Sequence, residues 1–307
     1  METKKIIKTV KNTLIYYCIL SVITMLRAMS RRQTIVFMKL MGALAYYLAW
    51  NERKKTLRHL TWAFGGELSP RDIRRLGRRV FRNLAVCIGD ALRLPRLVTE
   101  GLDSIVIPEN LHHLHAAMAK SSGVIVQTGH YGNWELLGTW LASKNIPLKV
   151  VAKKLYDPRL DKLLVDYRNQ AGYANTARGK ATSVIVQGLK NGCVFGMLFD
   201  VDTKIKGEFV DFFGKPAHTA VIPAILAMQL KVPIVPVFIR LRDDFTYVIT
   251  ALEPIQIEVT GNETMDVIRN TQKCSHVYEQ MIRKYPDQWI WMHERWKKQP
   301  RVAAAPQ

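Results

Sequence analysis

The sequence predicts an α/β fold, a sheet flanked by helices behind an N-terminal apolar helical membrane anchor. Two observations lead there. From residue 123 onward, short apolar runs alternate with longer segments of helical spacing, the pattern of a sheet with helices on its faces. Before that, the first fifty residues hold two apolar stretches bracketed by Lys and Arg and rich in Tyr and Trp, a composition suited to the headgroup boundary of an anionic membrane. The expected organisation is residues 1–52 as membrane-anchoring helices, 53–300 as one catalytic domain and 301–307 as a disordered tail.

The elements follow in order. Leu14 to Leu26 is thirteen uncharged residues between Lys8 and Lys11 on one side and Arg27, Arg31 and Arg32 on the other. That is short of the roughly twenty a membrane crossing needs. Ile35 to Trp50 carries only Lys39, and Tyr16, Tyr17, Tyr46, Tyr47 and Trp50 decorate the two stretches. Core helices of a soluble domain are the alternative reading. Arg53, Lys54, Lys55 and Arg58 form a basic cluster. Ser69 and Pro70 then give an N-cap followed by proline in the first helical position. Ile73, Leu76, Val80, Leu84 and Ile88 recur at helical spacing opposite Arg71, Arg74, Arg75, Arg78 and Arg82, a basic amphipathic helix. Strands are expected over Val124–Thr128, Leu148–Ala152, Val194–Phe199, Phe209–Phe213, Ile234–Ile239 and Tyr247–Ala251. Helices are expected over Asn133–Ser143, Pro158–Ala171, Ala181–Lys190, Ala220–Leu230 and Met265–Lys284, with His218 and Thr219 placed to cap the helix near Ala220.

The chemistry concentrates at one junction. His130-Tyr131-Gly132-Asn133-Trp134-Glu135 joins the strand ending at Thr128 to the helix that follows. Five residues along a helix turn through about 500°, so His130 and Glu135 meet only if His130 sits in the loop and Glu135 in the helix. Asn133 as N-cap places Glu135 in the first turn, where the helix dipole favours an ionised carboxylate. Glu135 could then take the proton on one imidazole nitrogen and leave the other free as a base. Asp200 and Asp202 follow an apolar strand, at the strand end where α/β sheets bind ligands. Asp200 could orient an arginine or a polar headgroup, or cap its own loop. Arg168, near the end of its helix, reads on these grounds alone as a surface cation. The segment from Gln288 to Lys297 interleaves Trp289, Trp291 and Trp296 with cations. It could stack bases, close an apolar channel with a phosphate-binding rim, or pack across the sheet.

The formal net charge of +20 attracts nucleic acid, anionic lipid and acidic proteins alike. Four widely spaced cysteines suggest neither a disulfide framework nor a zinc site. His112, His113 and His115 lack a further ligand, so no metal is expected. Walker, dinucleotide-fingerprint, Gly-x-Ser-x-Gly and His-Glu-x-x-His patterns are all missing from the sequence.

Several blocks occur in a fixed order: Gly129-His130-Tyr131-Gly132-Asn133-Trp134-Glu135, Tyr167-Arg168, Leu198-Phe199-Asp200, Val210-Asp211-Phe212-Phe213-Gly214, Pro233-Ile234-Val235-Pro236 with Arg240, and Gln288 to Lys297. Together they resemble the lauroyl/myristoyl transferases of lipid A assembly in Gram-negative bacteria, over roughly residues 10 to 298. The resemblance implies a glycerolipid-acyltransferase-like mixed sheet flanked by helices. It implies anchoring at the cytoplasmic face of the inner membrane by the N-terminal helices. It also implies transfer of a fatty acyl chain from acyl carrier protein, or coenzyme A, to a hydroxyl of a lipid A precursor. His130 and Glu135 match the family's catalytic histidine and acid, the HX4E motif; Arg168 and Asp200 match its further polar, substrate-binding pair. Val201 stands where glutamine is frequent and His59 where asparagine is usual, which bears on acceptor identity. An activated thioester requires no cofactor or metal. The expected partners are an acyl-carrier or acyl-CoA donor, a lipid acceptor and an anionic membrane surface, with no nucleic acid. Other acceptors stay open: another glycolipid, a mannosylated phosphoinositide, an ornithine lipid, a lysophospholipid, or water. A basic nucleic-acid-binding protein and a purely structural membrane protein are the readings from other classes.

Overall fold

The computed structural model describes residues 2–152, 154–177, 181–202 and 205–300; the expected tail 301–307 lies outside them. Five helices come first: α1 (Glu2–Ala28), α2 (Arg31–Leu48), α3 (Trp50–Phe64), α4 (Pro70–Leu92) and α5 (Leu94–Glu100). An alternating stretch follows: β1 (Val106–Glu109), α6 (His112–Lys120), β2 (Val124–Thr128), α7 (Trp134–Ser143), β3 (Leu148–Ala152), α8 (Pro158–Gln170), β4 (Ala174–Ala177), α9 (Ala181–Lys190) and β5 (Val194–Leu198). Then come β6 (Gly207–Phe212), β7 (Lys215–Ala220), α10 (Ile222–Leu230), β8 (Ile234–Leu241), β9 (Tyr247–Ala251) and α11 (Glu263–Lys284).

Seven strands form one sheet in the order β1-β9-β8-β2-β5-β3-β4. Neighbours pair in parallel except β8 with β9, which are antiparallel. The sheet is therefore mixed, with β2 central and buried along its whole length. Side chains alternate between faces along a strand. Val124 and Val126 of β2, with Val235, Val237 and Ile239 of β8, join the apolar cluster that takes in α5 and α7. Ile125, Ile234 and Phe238 join the opposite cluster, which takes in α3, α10, α11 and three tryptophans, Trp289, Trp291 and Trp296.

The expected fold class is corrected at its N-terminus. No helix among the described residues is long and apolar enough to cross a membrane, and the first two helices are built into the domain instead of forming an apolar anchor. A Cβ on Gly42 of α2 would lie 2.6 Å from the Phe81 carbonyl oxygen of α4, so the two backbones pack closer than any side chain allows. Arg31 of α2 pairs with Asp90 of α4 at 2.8 Å, and the Tyr247 hydroxyl of β9 donates to the same carboxylate at 2.9 Å. Arg93, fully buried, donates to the carbonyl oxygens of Leu26 and Met29 that close α1. Apolar length alone misled because Ile35, Met38 and Tyr46 face the interior. Val36, Leu40, Leu44 and Leu48 form an exposed stripe on the other side of α2.

Two further differences concern residues 207–220. The strand expected over Phe209–Phe213 lies outside the main sheet, where β6 pairs antiparallel with β7. Phe213 and Gly214 link them in a two-residue turn with φ of 57° and 71°, the handedness that suits a hairpin. His218 and Thr219 belong to β7 and cap nothing; α10 begins after Val221 without a side-chain cap.

Candidate active site

The site sits at the carboxyl end of the parallel strands, where β2 and β5 run side by side. Their register pairs Thr128 with Leu198, so the residues two steps beyond, His130 and Asp200, emerge opposite each other. The His130 backbone N–H donates to Asp200 Oδ2 at 2.9 Å, and its Nδ1 lies 3.0 Å from Asp200 Oδ1. The indole of Trp289 donates to Oδ2 at 2.8 Å. Three bonds thus fix a carboxylate that is 1% exposed.

Burial alone would push the Asp200 carboxyl up, but the His130 charge and the bonds from His130 and Trp289 outweigh it and hold the acid below its ordinary range. Burial would likewise lower His130; the charge and hydrogen bond of Asp200, with a smaller contribution from the charge of Glu135, raise it instead. A proton on Nδ1 directed at Asp200 leaves Nε2 as the basic atom. The imidazole side chain keeps 30% exposure, so that atom can be reached, and the Trp134 ring lies edge-on to it at 5.1 Å.

Gly132 makes the turn possible. Its φ is +57°, and a Cβ there would fall 1.9 Å from the Ile239 carbonyl oxygen of β8. Its N–H donates to the Gln288 carbonyl at 2.8 Å, and Ile290 N–H donates to the His130 carbonyl at 3.2 Å. The C-terminal tryptophan segment is thereby laced to the histidine loop. Asn133 caps α7 through Leu136 N–H at 3.1 Å, as its position next to the helix predicts.

Glu135 stands in the first turn of α7 but does not bond the imidazole. The carboxylate on His130 is Asp200, and Glu135 instead receives Arg168 in a two-pronged pair, Nε to Oε2 at 3.0 Å and Nη2 to Oε1 at 2.5 Å. The Tyr173 hydroxyl adds a bond to Oε2 at 3.1 Å, and Arg168 Nη1 donates to Asn175 at 3.1 Å. Arg168 is buried, not a surface cation. Burial would lower its pKa, and the bonds and charge of Glu135 raise it. All four candidate residues therefore lie at one end of the sheet as two acid–base pairs, His130 with Asp200 and Glu135 with Arg168.

Glu135, Arg168, Tyr167 and Tyr173 also edge a cavity of about 260 Å³ whose remaining wall is almost wholly aliphatic: Ile19 and Ile23 from α1, Leu92 and Leu94, and Leu160, Leu163 and Leu164 from α8. Polar chemistry at one end and a hydrocarbon wall beyond it suit an amphiphilic substrate. Among the described residues, no three His, Cys, Asp or Glu side chains converge as metal ligands.

Sequence reasoning did not connect Trp289 to Asp200, and Tyr173 and Asn175 went unnoticed. No local signal marks a residue that bonds a candidate site side chain across the fold. A second histidine–carboxylate contact was likewise unforeseen: His218 Nδ1 lies 3.1 Å from Asp202 Oδ1.

A reachable imidazole on a buried carboxylate, with an aliphatic cavity at the neighbouring Glu135–Arg168 pair, has the parts of a site for proton transfer on an amphiphilic molecule. The chain belongs to the bacterial lipid A biosynthesis acyltransferase family, which it matches over residues 2–298. It is also similar to the phosphatidylinositol mannoside acyltransferases of Mycobacterium tuberculosis, 28% identical over 217 residues, and of Mycolicibacterium smegmatis, 26% identical over 215 residues. These matches take in 67% of this chain, and for the first of them 66% of the relative's own length.

Proposed function

We propose that the enzyme moves a fatty acyl chain from an acyl-carrier thioester, or acyl-CoA, to a hydroxyl of a lipid A precursor, with His130 as the general base. What supports this reading is the His130–Asp200 pair, together with an aliphatic cavity edged by Glu135, whose charge reaches His130.

In the proposed reaction the acyl tail lies between α1 and α8, and the thioester carbonyl sits near the polar rim. His130 Nε2 takes the proton of the acceptor hydroxyl as its oxygen attacks the carbonyl carbon. The tetrahedral intermediate collapses with loss of the carrier thiolate, which takes that proton back from His130. Asp200 holds the tautomer and balances the imidazolium; this is its role here, in place of headgroup binding. Positioned general-base help is typically worth about 10²–10⁴ in rate. Glu135 acts through its charge on His130 and by fixing Arg168, whose two remaining N–H groups face substrate phosphate.

The relatives' names favour a second acceptor, a mannosylated phosphoinositide; the chemistry at His130 is the same for either hydroxyl. The place of action we propose is the cytoplasmic face of the inner membrane. The exposed cations of α4, Arg71, Arg74, Arg75, Arg78 and Arg82, support contact with anionic lipid, and the exposed stripe of α2 can rest on the surface without crossing it.

Purified protein with labelled acyl carrier thioester, acyl-CoA and a panel of lipid acceptors tests the reading. Ester formation on a lipid A precursor, lost in His130→Ala, is the expected result. Free fatty acid released at a rate independent of added lipid would turn the assignment to hydrolysis.

A further inference from the structure

The reaction needs a donor for the carbonyl oxygen as it becomes an oxyanion, and most groups near His130 are already committed. The backbone N–H of His130 serves Asp200, and that of Gly132 serves the Gln288 carbonyl. Arg168 spends Nε and one N–H on each Nη on Glu135 and Asn175. The tryptophan segment supplies another candidate. Ile290 N–H is bonded to the His130 carbonyl, and His293 N–H bonds back to the Ile290 carbonyl at 3.1 Å. This turn brings His293 round beside the catalytic pair.

The side chain of His293 is half-buried, and the two nitrogens of its ring differ. Nδ1 is buried with no hydrogen-bond partner. Nε2 makes no bond to the described residues either, and unlike Nδ1 it keeps contact with solvent. A buried N–H without a partner is rarer and costlier than a buried lone pair. The proton of a neutral ring therefore belongs on Nε2. Burial first, and the charge of His130 second, hold His293 below the ordinary histidine pKa; Arg295 adds to the lowering, and Asp200 and Asp202 oppose it. The ring is thus neutral at pH 7 and presents one N–H to the open side.

Resting on the acyl-transfer reading above, we infer that His293 is the oxyanion donor of this site, its Nε2–H bonding the thioester carbonyl oxygen as negative charge develops there. No proton is transferred at His293. As the acceptor oxygen adds to the carbonyl carbon, the π pair moves onto oxygen and is held by this N–H; it returns when the C–S bond breaks and the thiolate leaves. A neutral donor fits the neighbourhood, because a second imidazolium beside protonated His130 would be repelled.

The test compares His293→Ala and His293→Gln with His130→Ala in the full-length protein. Losing one oxyanion donor typically costs about 10²–10³ in kcat. His293→Ala should show that loss with little change in KM and with the acid limb of the kcat/KM pH profile unmoved, since that limb belongs to His130. His293→Gln, which keeps an N–H donor, should recover a large part of it. Near-normal kcat in His293→Ala while His130→Ala is inactive overturns the inference and leaves the parent reading intact. Activity in His130→Ala overturns the parent reading. A drop in kcat with an equal drop in thermal stability and no rescue by glutamine assigns His293 a structural role and also overturns it, as would an acid limb that moves with His293→Ala.

Discussion

Two acid–base pairs, each partly buried, stand at the end of this sheet, and they do opposite things with charge. Glu135 and Arg168 form a guanidinium–carboxylate fork whose cation does not titrate in the working range of the enzyme. Asp200 and His130 form a pair whose cation titrates within that range. The first can set a field and a shape; only the second can pass a proton. Sequence spacing alone joins His130 to Glu135, because they are five residues apart. The fold re-sorts the partners: each carboxylate serves a base brought from another element. Two residues of a short motif can thus lie at one end of a sheet and still take their partners from elsewhere.

The largest expected effect tests the half of the comparison that moves protons. His130→Ala should cost about 10²–10⁴ in turnover with little change in thermal stability, measured by acyl transfer and calorimetry on the same preparation. Normal turnover would break the distinction at once. Glu135→Ala tests the other half and should lose activity for another reason, since it leaves Arg168 buried without its partner at a cost of about 3–5 kcal/mol. Replacing both, Glu135→Leu with Arg168→Met, should recover most of that stability without recovering activity. If the double variant were active, the fork would be scaffolding only.

Asp200→Asn sharpens the contrast between a carboxylate and its neutral isostere. The amide can accept at one atom only, so it satisfies fewer of the three donors that now converge on Asp200. His130 also loses the charge that raises it. Turnover should fall, by less than in His130→Ala, and the acid limb of the pH profile should move to lower pH. An unmoved limb would mean that Asp200 does not set the base.

Much of this was legible in the sequence where the signal is local. β2, β3, α9 and β9 fall on their expected bounds because continuous apolar runs or helical spacing define them. The caps at Ser69 and Asn133 follow from residue type and position. What was not legible is pairing. Nothing in the chain says that β2 lies beside β5, and that adjacency alone brings His130 to Asp200. Strand β1 buries only its first residue, leaving no alternation to read. β7 carries Pro216 and His218 among few β-formers. The N-terminal helices misled because a helix buried on one face and apolar on both looks, in sequence, like one made for lipid.

A smaller effect is expected in the cavity. Leu163→Phe adds bulk to the wall between α8 and α1 and should shift preference toward shorter acyl chains. Each methylene denied burial is worth about 0.8 kcal/mol, roughly a fourfold change in relative kcat/KM. Competition between thioesters of different chain length reads it directly, and an unchanged ranking would place the tail elsewhere.

The smallest effect separates what stabilises the proton-passing pair from what makes it work. His130 is raised above its unfolded value of about 6.5, so its contribution to stability is complete below that pH and is lost as pH rises through the folded pKa. Asp200 is held below its unfolded value of about 3.9, so its contribution is complete above that pH and is lost as pH falls through the lowered pKa. The pair therefore stabilises the fold fully between about pH 4 and 6.5, and less at higher pH. The proposed general-base step needs the opposite condition, a neutral imidazole, so turnover should rise over the interval in which that stabilisation declines. Wild type should exceed Asp200→Asn in melting temperature by more at pH 5.5 than at pH 8.5, while its turnover runs the other way. For Glu135 and Arg168 no such crossing is expected, because the guanidinium keeps its charge throughout. Equal differences in melting temperature at the two pH values would show that the imidazole charge is not held by Asp200, and the two pairs would then differ in geometry alone.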